Sequence, residues 1–325
     1  MHTLLSELGE PQRAYPSIHV VGTNGKTTAT HTIAALLRAE GLHTGAYTSP
    51  HVRSWAERIV LDGEEVDFER AIARVRTPAE SLHATQFEVL TAAALTEFRD
   101  AEVDVAVVEA GLGGRLDATN VVDAPVVLMT NVSLEHTDVL GDTPEQIAQE
   151  KLAVAHAARI VVLPDNTFEQ LVPRTSRIVL GGARHAAEVF LNREIDGDVQ
   201  VALPGRFERR GDDVWDGAHT PAAVAWLLER LPRRDYVLCV SILRDKDVDG
   251  MLRQLSEAGR TLIATQSSNP RALPAGELAG SAAPHFDRVE AVDDPVDALA
   301  RAHDLGGAVL ATGSLYLLAD LSKRE

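Results

Sequence analysis

The sequence predicts an α/β fold with mostly parallel strands, arranged as two consecutive domains. Three observations carry this expectation. Short β-branched runs alternate with segments of helical period along the chain. The length of 325 residues suits two domains of roughly 100–200 residues each. Apolar residues make up 45% and charged residues 24% of the chain, while aromatics supply only 4%. The cores must therefore be aliphatic, built from Ala, Val, Leu and Ile.

In chain order, Ser17–Val21 (SIHVV) reads as the first strand. Lys26–Glu40 carries Ile33, Ala34, Leu36 and Leu37 on one helical face, and Gly41 suits its C-terminal stop. Tyr47 lies near the end of a second short strand, and Arg58–Leu61 (RIVL) enters an Asp62-Gly63 turn. Gln86–Phe98 has a strong helical period. Val103–Glu109 and Pro125–Thr130 read as buried strands. Thr143 suits the N-cap of a helix with Pro144 at its first position, running to about Ala157. From Arg159 to Leu203 the pattern becomes β-rich. Asp196-Gly197 is expected to turn a hairpin between a 189–195 strand and a 199–203 strand. A second α/β unit begins after Pro204-Gly205. Its strands are expected near Asp213–Asp216, Tyr236–Ser241, Thr261–Thr265 and Ala308–Ala311. Its helices fall near Pro221–Leu231, Asp247–Glu257 and Pro295–His303. The boundary is expected near 203/204.

Composition excludes several classes. No apolar run approaches the ~18 residues needed to span a bilayer. The start, MHTLLSELGEPQR, lacks the basic and apolar regions of a signal peptide. A single cysteine, Cys239, sits in an apolar run (VLCVS), so it reads as a buried strand residue rather than half of a disulfide or a nucleophile. These features point to a cytoplasmic protein with no membrane partner. The net charge of −17 argues against a nucleic-acid partner held by phosphate contacts. Small anionic ligands remain open, because a few placed cations and backbone N–H groups bind phosphate even in an acidic protein.

Gly22-Thr23-Asn24-Gly25-Lys26-Thr27-Thr28 lies between the first strand and a helix. A glycine-rich strand-to-helix turn brings backbone N–H groups close to phosphate oxygens. The helix N-terminus adds a favourable dipole, and Lys26 adds a mobile charge. This reads as a nucleotide site. Glu109 closes a buried strand, where a carboxylate needs a cationic partner.

Further segments join this loop. They are Thr48-Ser49-Pro50-His51 with Glu57-Arg58, then Glu109-Ala110-Gly111-Leu112-Gly113-Gly114-Arg115-Leu116-Asp117-Ala118-Thr119-Asn120, Leu134-Glu135-His136-Thr137 and Glu150-Lys151. Beyond them lie Pro204-Gly205-Arg206-Phe207-Glu208 and Asp216-Gly217-Ala218-His219-Thr220-Pro221. Together they resemble the folylpolyglutamate synthase and dihydrofolate synthase family of the Mur-ligase superfamily, from about Leu5 to Leu321.

The resemblance implies a P-loop ATPase domain with a mostly parallel sheet over 1–203, holding the nucleotide, metal and folate sites. A smaller Rossmann-like α/β domain of the Mur-ligase type follows over 204–325. It implies an ATP-dependent ligase that phosphorylates a carboxylate on a folate and joins the amine of L-glutamate to it, releasing ADP and phosphate. Gly22, Thr23, Asn24, Gly25, Lys26, Thr27 and Thr28 would cradle the phosphates. Ser49, Glu109, His136 and Lys151 would bind Mg²⁺, Lys151 after carbamylation. Lys26, Lys151 and His136 would be the catalytic residues. Thr85, Gln86, Phe87 and Glu88, with Leu116, Asp117 and Ala118, would face the folate. Arg206, Asp216 and His219 would contact ATP. The implied partners are ATP, L-glutamate and folate or dihydropteroate, bound by a monomer. Two other readings stay open: a nucleotide-binding relative without ligase activity, and a Mur-type ligase acting on a cell-wall nucleotide.

The chain departs from the family pattern in places. The pterin-binding loop expected before the first strand has no counterpart ahead of Ser17, which favours folate polyglutamylation over dihydropteroate as acceptor. The helical stretch expected before PGRFE is missing. Thr220 stands for an Asn, Ala56 for an Asn and Glu135 for an Asp.

Overall fold

The computed structural model describes residues 1–323. The chain divides into two compact units, residues 1–201 and a second that begins at Ala202.

In the first unit, helix α1 (His2–Glu7) precedes strand β1 (Ser17–Val21) and helix α2 (Lys26–Ala39). Strands β2 (Thr44–Tyr47), β3 (Ile59–Leu61) and β4 (Glu64–Glu65) follow. Helices α3 (Phe68–Ser81) and α4 (Gln86–Asp100) lead to β5 (Val105–Glu109) and β6 (Val126–Met129). Helices α5 (Thr137–Leu140) and α6 (Pro144–Leu152), strands β7 (Ile160–Leu163) and β8 (Arg177–Leu180), and helix α7 (Ala183–Leu191) complete it. The sheet order is β4-β3-β2-β5-β1-β6-β7-β8. In that order the pairs from β2 to β8 are parallel, and the β2–β3 and β3–β4 pairs are antiparallel.

Strand periodicity splits the core into two layers. Ile18, Val20, Val105, Val107, Val126 and Leu128 pack with Ile33, Leu36 and Leu37 of α2 and with Ala186 and Ala187 of α7. The opposite face, with Val21, Ala106, Val108, Val127 and Met129, packs with Leu90, Leu95 and Phe98 of α4 and Ala148 and Leu152 of α6. The chain leaves β1 toward β2 on one side, and β6 lies on the other. The carboxyl end of β1 is therefore a topological switch point, where α/β sheets open a crevice.

The hairpin expected at 189–203 is not formed. Residues 183–191 are helix α7, and no strand lies between 192 and 203. Ala183, Ala186, Ala187, Phe190 and Leu191 recur at helical spacing, and the buried Ala186 and Ala187 belong to the layer that includes α2. Asn192 ends the helix in the left-handed conformation, φ +54. The helix expected to reach Ala157 stops at Leu152 and tightens into a 3-10 turn over Ala153–Ala157.

The second unit has strands β9 (Glu208–Arg210), β10 (Asp213–Asp216), β11 (Val237–Val240), β12 (Thr261–Ala264), β13 (Arg288–Ala291) and β14 (Val309–Thr312). Helices α8 (Pro221–Arg230), α9 (Val248–Leu255), α10 (Ala275–Ala282), α11 (Pro295–Asp304) and α12 (Leu315–Ser322) connect and flank them. The order is β13-β12-β11-β14-β10-β9, parallel except for the β9–β10 pair. Cys239 is buried in β11, and burial pushes its thiol up to about 12. Among the described residues no helix is long and apolar enough to cross a membrane.

Candidate active site

The strand-to-helix loop after β1 adopts the conformation its glycines allow. Gly22 has φ +144, and a Cβ there would meet Thr130 Oγ1 at 2.0 Å. Gly25 has φ +78 and is the N-cap of α2. Both positions favour glycine, the first for close approach and the second for its left-handed backbone. Asn131, just beyond β6, clamps the loop. Its Oδ1 accepts from Asn24 N at 2.9 Å, its Nδ2 donates to Asn24 O at 3.0 Å, and its carbonyl accepts from Thr23 N at 3.0 Å. Thr130 Oγ1 also donates to Asn24 O at 2.8 Å. Neither residue was foreseen as a site residue; the only signal was their place at the end of the buried 125–130 strand. Lys26 Nζ lies across the loop, donating to Gly22 O at 3.0 Å and Thr23 O at 3.3 Å. Thr28 is exposed in the first turn of α2.

Glu109 closes β5, the neighbour of β1, and is 1% exposed. Its Oε1 accepts from Thr27 Oγ1 at 3.1 Å and its Oε2 from Ser49 N at 3.2 Å. Thr27, Ser49 and Glu109 thus meet at the end of the P-loop. The set is rich in oxygen donors, a carboxylate and two hydroxyl-bearing residues, which is the chemistry magnesium prefers. The segment around Ser49 is fixed by Glu57, whose carboxylate accepts from the backbone N–H of Val52 and Ser54, each at 2.8 Å.

Lys151 is at the end of α6 and 1% exposed. Its Nζ donates to Gly22 O at 2.9 Å and to Glu135 Oε1 at 2.6 Å. Burial lowers its pKa and nearby Lys26 adds to this, while Glu135 opposes. For Glu135 burial alone would raise the pKa, but Lys151 reverses the sign and the net shift is downward. The pair is therefore ionic as built. His136 follows Glu135 but is exposed at the N-cap of α5, with φ +46. Among the described residues no three His, Cys, Asp or Glu side chains form a group that could hold a metal ion. Of the four expected ligands, the structure joins Ser49 and Glu109 directly and places Lys151 against the P-loop carbonyl.

A cavity of about 860 Å³ opens in the first unit, within the range of small-molecule sites. Ser49, Thr85, Phe87, Glu88, Leu116, Asp117 and Ala118 all line it; Gln86 does not, being exposed in the first turn of α4. Thr85 and Glu88 also form a capping box: Glu88 Oε2 accepts from Thr85 N at 2.9 Å, and Thr85 Oγ1 accepts from Glu88 N at 3.3 Å. The Thr-x-x-Glu pattern therefore has a helix-starting role of its own. Phe87 lies over Gly111, where a Cβ would come within 2.4 Å of its ring. Gly114 passes against the backbone of α6, and a Cβ there would lie 2.6 Å from both Glu150 O and Lys151 O. Arg115 adds an ion pair to Glu150 at 2.8 Å, so the 111–118 wall is docked on the helix that carries Lys151.

Comparison with known proteins agrees with this geometry. Residues 20–201 match the Mur ligase middle domain, and residues 205–315 match the Mur ligase, glutamate ligase domain. The chain is 33% identical to the dihydrofolate synthase/folylpolyglutamate synthase of Mycobacterium tuberculosis, over 91% of this chain and 80% of the relative. The chain belongs to the folylpolyglutamate synthase/dihydrofolate synthase family of Mur ligases. Among solved structures, Mycobacterium tuberculosis folylpolyglutamate synthase complexed with ADP and AMPPCP matches with a TM-score of 0.92 at 31% identity, covering 99% of this chain and 94% of that one. The bifunctional enzyme from Yersinia pestis, complexed with AMPPNP and Mn ion, matches with a TM-score of 0.85 at 27% identity, covering 99% and 91%.

The second-unit motifs of this ligase family form a compact turn. Asp216 is 7% exposed at the end of β10. Its Oδ2 accepts from Phe207 N at 2.7 Å and its Oδ1 from Ala218 N at 2.8 Å. Burial raises its pKa against the pull of these bonds and of Arg206. The carboxylate thus ties the Arg206-Phe207 turn to the Gly217-Ala218 segment. His219 Nδ1 lies 2.8 Å from Gly217 O. Thr220, where the family pattern has Asn, caps α8 by accepting from Ala223 N at 3.2 Å, with Pro221 at the first position.

Proposed function

We propose that this chain is an ATP-dependent amide ligase that joins L-glutamate to a folate-type carboxylate through an acyl phosphate. One observation carries the reading. Within a single unit, a P-loop with Lys26 abuts the buried Glu109, and the neighbouring Ser49 lines a cavity sized for a small organic acid. Such an arrangement serves phosphoryl transfer from ATP to a bound carboxylate, where catalysis is chiefly positioning and charge stabilisation.

In this reading the N–H groups of the Gly22–Thr28 loop and the start of α2 receive the triphosphate. Lys26 leaves its carbonyl partners for the β- and γ-phosphates. Thr27, Ser49 and Glu109 hold Mg²⁺, which supplies charge neutralisation for the transferring phosphoryl group when bound. His136, exposed at the N-cap of α5, is assigned to this metal set by the family pattern alone. The cavity wall from Leu116 to Ala118, with Thr85, Phe87 and Glu88, orients the acceptor so that its carboxylate meets the γ-phosphate. Arg206, Asp216 and His219 are assigned to the nucleotide by the family pattern, Asp216 acting through the turn it holds.

Lys151 is proposed to be carbamylated in the active form. The reaction needs a neutral amine, and burial lowers the lysine pKa in that direction. The resulting anion would sit near Lys26.

The test is phosphate release by the purified protein with Mg-ATP and L-glutamate, using tetrahydrofolate and dihydropteroate in separate reactions. Release dependent on either acceptor supports the ligase, and release with tetrahydrofolate alone confines it to polyglutamylation. ATP binding without release in either reaction contradicts it.

A further inference from the structure

His19 sits in the middle of β1 and is completely buried. Ile18 and Val20 on either side enter the layer that includes α2, so His19 faces the opposite side of the sheet. There its Nε2 lies 2.9 Å from Thr119 Oγ1. Thr119 is fully buried in a 3-10 turn that Asp117 caps. Asp117 Oδ1 receives the Thr119 N–H at 2.9 Å and stands 2.5 Å from Thr119 Oγ1. Its Oδ2 receives the N–H of Leu112 at 2.8 Å. Asp117 and Leu112 both line the cavity.

The direction of this chain follows from its chemistry. An ionised carboxylate only accepts, so the Thr119 hydroxyl donates to Asp117 and must accept from His19. His19 therefore donates through Nε2–H. Its Nδ1 is buried without a hydrogen-bond partner among the described residues, so it carries no proton, since an unbonded N–H would leave a donor unsatisfied. Burial holds the ring neutral down to about 4, with Asp117 opposing and His156 adding.

We propose that His19 is a positioning residue for the acceptor cavity: through Thr119 it orients the Asp117 carboxylate in the 111–118 wall, from the same strand that ends at Val21 and leads directly into the P-loop at Gly22. The kinetic part of the test rests on the ligase reading; the spectroscopic and exchange parts do not.

The tautomer is read first, by nitrogen-15 NMR of the full chain near neutral pH. The relay requires His19 protonated on Nε2; protonation on Nδ1 overturns it. His19→Leu and Thr119→Val are then compared with His19→Gln, whose amide nitrogen replaces Nε2–H as a donor. Loss of one buried hydrogen bond should raise acceptor KM and speed Leu112 amide exchange by roughly 10-fold in the first two variants, with ATP KM within about 2-fold and His19→Gln close to wild type. Equal damage from Gln and Leu overturns the proposal, as does a parallel rise in both KM values. If His19→Leu does not fold, Thr119→Val carries the same measurements. If wild type turns over no folate acceptor, the ligase reading fails by itself, and tautomer and Leu112 exchange still decide the relay.

Discussion

Lys151 Nζ donates to Glu135 Oε1 at 2.6 Å, beneath the P-loop carbonyl of Gly22. The ion pair anchors α6 to the nucleotide loop and holds in its ammonium form the residue proposed to be carbamylated.

Weakening this pair should therefore favour carbamylation. In Glu135→Gln the opposing carboxylate is gone, while burial and Lys26 still lower the Lys151 pKa. Half-activation by bicarbonate should move to lower concentration, and Lys151→Ala should lose bicarbonate dependence together with ligase activity. Full activity in Lys151→Ala would contradict this assignment.

Stability against pH follows from the same pair. The folded pKa of Glu135 lies below the ordinary 4.5, so the folded state binds fewer protons than the unfolded state in that interval. Its contribution is present above pH 4.5 and is lost as pH falls through the folded pKa. Glu135→Gln should flatten the acid limb of a plot of denaturation midpoint against pH.

Glu109→Gln keeps the shape of the side chain but removes its charge. We expect kcat to fall about 100-fold or more, as for loss of one pre-organised electrostatic group, with the thermal midpoint close to wild type. Chelation of Mg²⁺ should abolish phosphate release in wild type. A Glu109→Gln enzyme with unchanged kcat and magnesium dependence would exclude Glu109 from the metal site.

Two glycines separate the nucleotide and acceptor functions. Gly22→Ala drives a Cβ into Thr130 Oγ1, and Gly114→Ala drives one into the backbone of Glu150 and Lys151. Each should destabilise by about 1–3 kcal/mol, the scale of overpacking in a tight core. Gly22→Ala should chiefly raise ATP KM, and Gly114→Ala chiefly acceptor KM, as measured by steady-state kinetics.

Asp216→Asn is expected to weaken the second unit. An amide has one acceptor oxygen, so one of the N–H groups of Phe207 and Ala218 loses its partner. A loss of about 1–3 kcal/mol in denaturant unfolding is expected for a buried unsatisfied donor.

The α/β pattern and the P-loop were legible in the sequence because each is written locally. The run SIHVV followed by Gly22 and Gly25 specifies strand, turn and helix without reference to the rest of the chain. The 183–203 segment misled because Val189-Phe190-Leu191 looks like a strand when read alone. The alanines at 183, 186 and 187 set the helical period, and small side chains give only a weak hydropathy signal. Strand β13 escaped notice for a related reason: at a sheet edge its Arg288 and Glu290 remain polar. In the site, Lys151 was carried by the family resemblance, and Glu109 stood out as a charge at the end of an apolar strand. Asn131, Thr130 and His19 did not, because their roles arise where β1, β5 and β6 become neighbours, a relationship no local spacing records.

The most direct test of the central claim is mass analysis of the folate product after reaction with Mg-ATP and L-glutamate. The account predicts a product heavier by one glutamyl residue, formed in equal amount with ADP and phosphate. ATP hydrolysis without a glutamylated product, or no reaction while ATP binds, would contradict it.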